Sequence, residues 1–401
     1  MRAEIENSLF AGMRHEQERE GPPEGFPPLP MIPVGRYTDP RFLELERIHL
    51  WRRSWLYAMH SDELPKPGSF RMWRKTGAPI IVVRGKDDRI RAFYNACAHR
   101  GAPLVENEAG HTQGFFCRYH GWTYDLSGRL IAVREKRDFP GLDMGCKGLK
   151  EIRCERLGNW VFINEDRDAP PLLDSLGPIP RHFDNLQLET LRFIGSKSFD
   201  IACNVKVLLD AFLETYHLKS IHPQTVDRFL DSRGTFNVLW PNGHSLMATP
   251  HRRAEWRDPG AVGMPEIASA ERIYAHQNLS YNVYPNLVTP ISSTGIPFCL
   301  FWPKSAREMT VEVHWFAPEA AQDHELWPTR MANFERILEE DTQFAPRIQE
   351  SVESGGFEGL VLSYQERRIY HWHEELDRRI GAAVPEDLRV KPLLAPWVEA
   401  A

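Results

Sequence analysis

Two short segments carry residues of metal-ligating type. Cys97-Ala98-His99 and Cys117-Arg118-Tyr119-His120 form a C-x-H pair and a C-x-x-H pair, 17 residues apart. Each arm is short enough for its ligands to converge on one centre. Two thiolates and two imidazoles satisfy a tetrahedral zinc. They equally satisfy a [2Fe-2S] cluster in which the Cys pair holds one iron and the His pair the other, and exchanging thiolate for neutral imidazole raises the reduction potential. Zinc would make the site structural, whereas the cluster would make it an electron carrier. Cys146, Cys154, Cys203 and Cys299 stand apart from both motifs and read as ordinary buried or free thiols.

A second constellation, Asp210, Glu214, His217 and His222, lies in one segment. Spacing at i, i+3 puts Glu214 and His217 on a shared helical face, but His217 and His222, at i, i+5, are splayed by about 140° on an ideal helix. Binding one metal requires the helix to distort or end between them, and Pro223 biases His222 away from the α region. Two His and one carboxylate on one face of an octahedron leave three positions open, the arrangement of non-heme Fe(II) oxygenases. The carboxylate must come from elsewhere in the chain. By spacing alone, these histidines are as readily satisfied side chains as ligands.

The elements that must position these residues follow from pattern. Prolines 22, 23, 27, 28, 30 and 33 make residues 21 to 35 an arm with no helix of its own. Phe42, Leu45, Ile48, Leu50, Trp51 and Trp55 recur at helical spacing and predict an amphipathic helix from Phe42 to Tyr57. Short β-rich runs broken by Gly, Asp and Asn, such as Ile80 to Val83 and Trp160 to Ile163, predict a small all-β domain. A Pro-rich stretch near Asp166 marks a boundary, so the expected division is an N-terminal arm and helix (1–55), a β domain (56–165) and a larger domain (166–401). In the last, Asn204 to Ile221 predicts a helix, 232 to 317 strands, and Glu325 to Ser351 and Tyr364 to Ile380 two long helices. The class is α+β.

Composition narrows the function. The chain has 401 residues, 42% apolar and 26% charged, with 49 basic and 55 acidic residues giving a net charge of −6. No basic run suits nucleic acid, and no apolar stretch of about 18 residues suits a membrane. The polar N-terminus shows no signal segment, and six cysteines are too few for a disulfide scaffold. A soluble cytoplasmic protein is expected.

The string Cys97, His99, Gly101, Ala102, Pro103, Leu104, then Cys117, Tyr119, His120, Gly121, Trp122 and Tyr124 closely resembles the large (alpha) subunits of Rieske non-heme iron oxygenases, the aromatic ring-hydroxylating dioxygenase family. Respiratory Rieske proteins add a cysteine after each ligand motif, and here Ala102 and Gly121 stand there instead. Asp210, Glu214, Tyr216, His217, His222 and Pro223 match the family's iron motif, with Asn204-Val205 and Asp210-Ala211 where Asn-Trp and Glu-Asn are common. The resemblance implies a Rieske [2Fe-2S] domain followed by a helix-grip catalytic domain with an antiparallel sheet and long C-terminal helices. It makes Cys97, His99, Cys117 and His120 the cluster ligands, and His217, His222 and Asp341 the Fe(II) ligands, with Glu339 and Glu340 as competitors of Asp341. Glu214, with Asp210 beside it, takes a catalytic role, Glu214 bridging a cluster His and an iron His across a head-to-tail homotrimer.

The implied reaction is O2-dependent mono- or dihydroxylation, or oxidative demethylation, of an aromatic or other apolar small organic substrate. Lacking G-x-G-x-x-G and a plant-type ferredoxin motif, the chain needs a separate NAD(P)H-dependent reductase, with or without a ferredoxin. Phe229, Phe236, Leu239, Trp240, Tyr281, Tyr284, Leu287, Phe298 and Phe301 supply apolar side chains, most of them for the core. Converging aromatics would instead suit a quaternary ammonium compound by cation–π attraction. No Arg or Lys in residues 276 to 300 offers a carboxylate anchor, which disfavours a small acid. Two rivals of other classes are a Rieske electron carrier, which leaves Asp210 to His222 unexplained, and a zinc-stabilised binding protein.

Overall fold

Runs of β-branched and aromatic residues build the smaller of two units, Trp51–Leu172, in a computed structural model that describes residues 1–399. Its seven-stranded antiparallel sheet runs Leu56–His60, Trp160–Asn164, Glu151–Leu157, Ile90–Tyr94, Ile80–Arg84, Ser69–Trp73, Ala109–His111. Ile80, Ile81, Val82 and Val83 are all buried, so this central strand is apolar on both faces rather than alternating. A three-stranded sheet of Phe115–Phe116, Thr123–Tyr124 and Leu130–Ala132 carries the second Cys/His loop. Phe93, Phe115, Trp122 and Tyr124 meet both cysteines in one buried cluster.

The other unit combines Met1–Leu50 with the chain from Leu173 onward. Its seven-stranded antiparallel sheet runs Leu191–Ile201, Met309–Pro318, Ile296–Pro303, Leu287–Ile291, Gln277–Val283, Ser245–Pro250, Phe236–Leu239. The α+β class stands.

Several boundaries differ from the sequence pattern. The N-terminal helix Ala3–Glu18 has no counterpart in the sequence pattern, because its apolar stripe is thin; Leu9 and Met13 are buried and Glu16 pairs with Arg367. The helix expected from Phe42 to Tyr57 is Pro40–His49, capped by Asp39, and gives way to the strand Leu56–His60. Asn204 to Ile221 is two helices. Asn204 caps Val205–Ala211 by accepting from the Lys206 N–H, and a loop leads to the single turn Leu218–Ile221. Glu325 to Ser351 likewise splits into Trp327–Thr342 and Ala345–Val352.

Candidate metal centres

The two Cys/His motifs fold into equivalent loops. In each, the amide four residues past the cysteine returns to the cysteine carbonyl: Gly101 N to Cys97 O and Gly121 N to Cys117 O, both at 2.8 Å. The next residue closes the loop, Cys97 N donating to Ala102 O at 2.9 Å and Cys117 N to Trp122 O at 2.8 Å. Gly101 and Gly121 both sit at φ +75°, where a side chain would strain the backbone. That geometry explains why glycine follows each ligand pair.

Cys97 and Cys117 are buried, and the His99 and His120 rings meet edge to face with centroids 4.6 Å apart. Nδ1 of both His99 and His120 is buried without a hydrogen-bond partner. A buried ring nitrogen with no donor to meet costs free energy unless an electrophile takes its lone pair. Two such nitrogens beside two buried thiols fit a [2Fe-2S] cluster with Cys on one iron and His on the other. Burial raises the Cys97 thiol pKa, and burial with the neighbouring His120 charge lowers that of His99, favouring the neutral imidazole a metal requires. Tyr124 Oη lies 3.2 Å from Cys97 Sγ.

In the larger unit, ligand atoms of His217, His222 and Asp341 all lie within 4.8 Å of one another. His217 ends the loop before the one-turn helix and His222 follows its last residue, so the helix stops where two converging imidazoles need it to. Glu214 and His217 meet in that loop, not on a helical face: Glu214 Oε1 is 2.5 Å from His217 Nδ1, and Glu214 also accepts from the Tyr216 N–H.

Asp341 and Glu340 arrive on the last turn of Trp327–Thr342 and embrace His222. Asp341 Oδ1 is 2.9 Å from His222 Nε2 and 3.5 Å from His217 Nε2, while Glu340 Oε2 is 2.6 Å from His222 Nδ1. Both rings thus turn Nε2 to the centre and rest Nδ1 on a carboxylate, the arrangement that fixes the tautomer of a metal-ligating histidine. The donor set, two imidazoles and one carboxylate, fits Fe(II). Burial alone would lower the His222 pKa; Asp341 and Glu340 outweigh it and raise it. Glu339 is exposed.

Asp210 stands apart from these three. It is buried on Val205–Ala211, where its Oδ2 accepts from Tyr37 Oη at 2.6 Å. Tyr37 Oη is 2.9 Å from His373 Nε2, and His373 Nδ1 accepts from Arg36 at 3.0 Å. Burial, with a smaller addition from Glu214, pushes the Asp210 pKa up to about 7 against the opposing Tyr37 and Lys206.

A cavity of about 910 Å³ opens onto Glu214, His217, His222 and Asp341. Phe212, Phe229, Met247, Trp256 and Trp315 supply its apolar lining. Of the aromatics expected to supply a pocket, Phe229 lines it, while Trp240, Tyr281, Phe298 and Phe301 are core. The sequence pattern marks neither Trp256, which sits in an irregular loop without periodicity, nor Arg330, which lies on a helix outside residues 276 to 300.

Residues 54–144 match the Rieske [2Fe-2S] domain and residues 188–382 the ring hydroxylating alpha subunit (catalytic domain). The chain belongs to the Rieske-type ring-hydroxylating oxygenase alpha-subunit family, whose two domains are those of a [2Fe-2S] cluster and a mononuclear iron. It is 29% identical over 206 residues to the glycine betaine monooxygenase oxygenase subunit of Pseudomonas aeruginosa, covering 50% of this chain and 46% of that one. It is 35% identical over 187 residues to the biphenyl 2,3-dioxygenase alpha subunit of Rhodococcus jostii, covering 45% and 41%. The chain thus spans under half the length of these relatives. The quaternary ammonium Rieske monooxygenase CntA, solved with an inhibitor, shares the fold at TM-score 0.74 and 21% identity, over 90% of this chain and 99% of that one. Among the described residues, no helix is long and apolar enough to cross a membrane.

Proposed function

We propose that this chain is the terminal oxygenase component of a multicomponent system that hydroxylates an organic substrate with an apolar body, using O2 and electrons from a separate NAD(P)H-dependent reductase. The observation that carries this reading is the opening of a 910 Å³ cavity onto His217, His222 and Asp341, in a chain that also holds the two Cys/His loops. When bound, the cluster supplies single electrons and the mononuclear iron activates O2. Cys97, Cys117, His99 and His120 would hold the first, and His217, His222 and Asp341 the second.

The chain's own groups prepare that chemistry. Glu214 and Glu340 anchor the two iron-site imidazoles, and the apolar walls exclude water from the space beside them. Glu214 would also couple the centre to His120 of a neighbouring subunit in a head-to-tail trimer. Tyr216 and Tyr119, beside these two residues in sequence, are 68% and 61% exposed, which supports burial of both in an assembly.

A second substrate class has its own support. Phe229 and Trp256 stack at 4.0 Å in the cavity wall, with the His251 ring edge-on to Trp256 at 4.8 Å, and such a surface attracts a quaternary ammonium group. The similarity to a glycine betaine monooxygenase subunit points the same way.

Metal analysis with EPR of the dithionite-reduced protein tests the proposal before any substrate is known. The expected result is a Rieske signal and about three irons per chain, two in the cluster and one mononuclear. His217→Ala should remove only the mononuclear iron, and Glu214→Gln should slow electron transfer with both metals retained. Zinc without a Rieske signal would overturn it.

A further inference from the structure

Arg330 lies in the substrate cavity with no carboxylate to meet it. Its Nη1 donates to Thr294 Oγ1 at 2.7 Å and its Nη2 to Ser292 Oγ at 2.8 Å, both neutral hydroxyls on the cavity wall. Among the described residues no acid stands within ion-pairing distance of it. Glu266, in the same cavity, instead accepts from Ser293 at 3.0 Å, and Asp258 acts on Arg330 only at longer range. Burial lowers the Arg330 pKa, as expected of a cation short of compensating charge. Arg228, Arg257 and Arg336, which also line the cavity, are exposed.

Helix geometry places this cation relative to the iron site. Arg330 and Asp341 are eleven positions apart on Trp327–Thr342, which is about three turns, so the two differ by about 20° around the axis and about 16 Å along it. Asn333, Phe334 and Ile337 fill the same stripe between them and line the same cavity. One helix face therefore carries a cation followed by Asn333 at one end, apolar Phe334 and Ile337 in the middle, and the metal-site carboxylate at the other.

Resting on the oxygenase reading, we propose that the substrate is an elongated organic carboxylate, its carboxylate paired with Arg330 and its oxidised carbon beside His217, His222 and Asp341. A planar guanidinium supported by two hydroxyls is suited to hold a carboxylate through paired N–H···O bonds. Allowing about 3 Å for that contact and a similar distance at the reacting carbon, the substrate must span roughly 10 Å between the two. Compact acids cannot reach both ends.

The test uses the iron-loaded holoprotein and binding calorimetry with biphenyl-4-carboxylate, biphenyl-4-carboxamide and benzoate. Wild type should bind the long acid at least ~10-fold more tightly than its amide, the scale of a charge-assisted pair, and more tightly than benzoate. Arg330→Gln should erase the preference for acid over amide, and Arg330→Lys should keep part of it. An acid-to-amide ratio near one in wild type, no binding of either, or an undiminished ratio in Arg330→Gln would overturn the anchor. Metal content and EPR on the same preparations report on the oxygenase reading independently, so loss of one conclusion is distinguishable from loss of the other.

Discussion

Glu340 and Asp341 are consecutive residues bracketing one imidazole, and their substitutions should fail differently. Asp341 Oδ1 faces Nε2 of both His222 and His217, at 2.9 Å and 3.5 Å, so Asp341→Asn removes the only anionic donor of the three-residue set. Glu340 touches Nδ1 of His222 at 2.6 Å and accepts from Thr225 Oγ1 at 2.5 Å. Glu340→Ala leaves that ring free to turn without removing a donor from the centre. Loss of such an outer carboxylate costs about 10–100-fold in metal affinity, or about 1.4–2.7 kcal/mol. Glu340→Gln keeps an acceptor and should sit at the mild end. Iron titration of protein stripped of its mononuclear metal should show Glu340→Ala loading fully at raised Fe(II), Asp341→Asn not loading, and Glu339→Gln behaving as wild type. An Asp341→Asn protein that retains stoichiometric mononuclear iron while Glu340→Ala cannot be loaded would refute the assignment.

Three further outcomes follow from buried groups. Tyr124→Phe deletes the hydroxyl 3.2 Å from Cys97 Sγ and should lower the cluster potential by on the order of 50 mV, read by redox titration with EPR. Lys206 and Glu46 form a buried ion pair at 2.7 Å, so Lys206→Met alone should destabilise by about 3–5 kcal/mol in chemical denaturation, and the double variant Lys206→Met, Glu46→Leu by much less. Asp210 is harder to ionise in the fold than in the unfolded chain, so the unfolded state gives up its proton first and stability falls as pH rises from about 4 to about 7. Asp210→Asn should flatten that part of the profile, by on the order of 4 kcal/mol in iron-free protein; an unchanged slope would assign it to other groups.

Legibility in the sequence tracked how local each feature is. The two Cys/His loops are readable because all four candidate ligands and both positive-φ glycines lie between Cys97 and Gly121, and each loop closes on its own backbone. His217 and His222 were readable as a pair, and so was the need for the helix to yield. The position of the break was not, since Phe212 to Tyr216 contains no proline or glycine to mark it. The partners of the imidazoles were only half visible. Glu214 is three residues from His217, but Glu340 and Asp341 come from more than a hundred residues away, and nothing in a run of acids on a helix says which one turns inward.

Helix Trp327–Thr342 shows why that information is hidden. Only Trp327 and Leu338 on it are buried, so by hydrophobic pattern it reads as a solvated surface helix. Its inward stripe is instead Arg330, Asn333, Phe334, Ile337 and Asp341, polar at both ends because it faces a cavity and the candidate metal site rather than a core. A stripe selected for binding departs from the apolar periodicity that packing imposes, and the same departure that blurs the helix in the sequence marks it in the structure. The rigid rise of that helix then fixes the distance between the cation that would hold a substrate and the carboxylate that would hold the iron. Substrate length becomes a property of one secondary-structure element rather than of the loops around it.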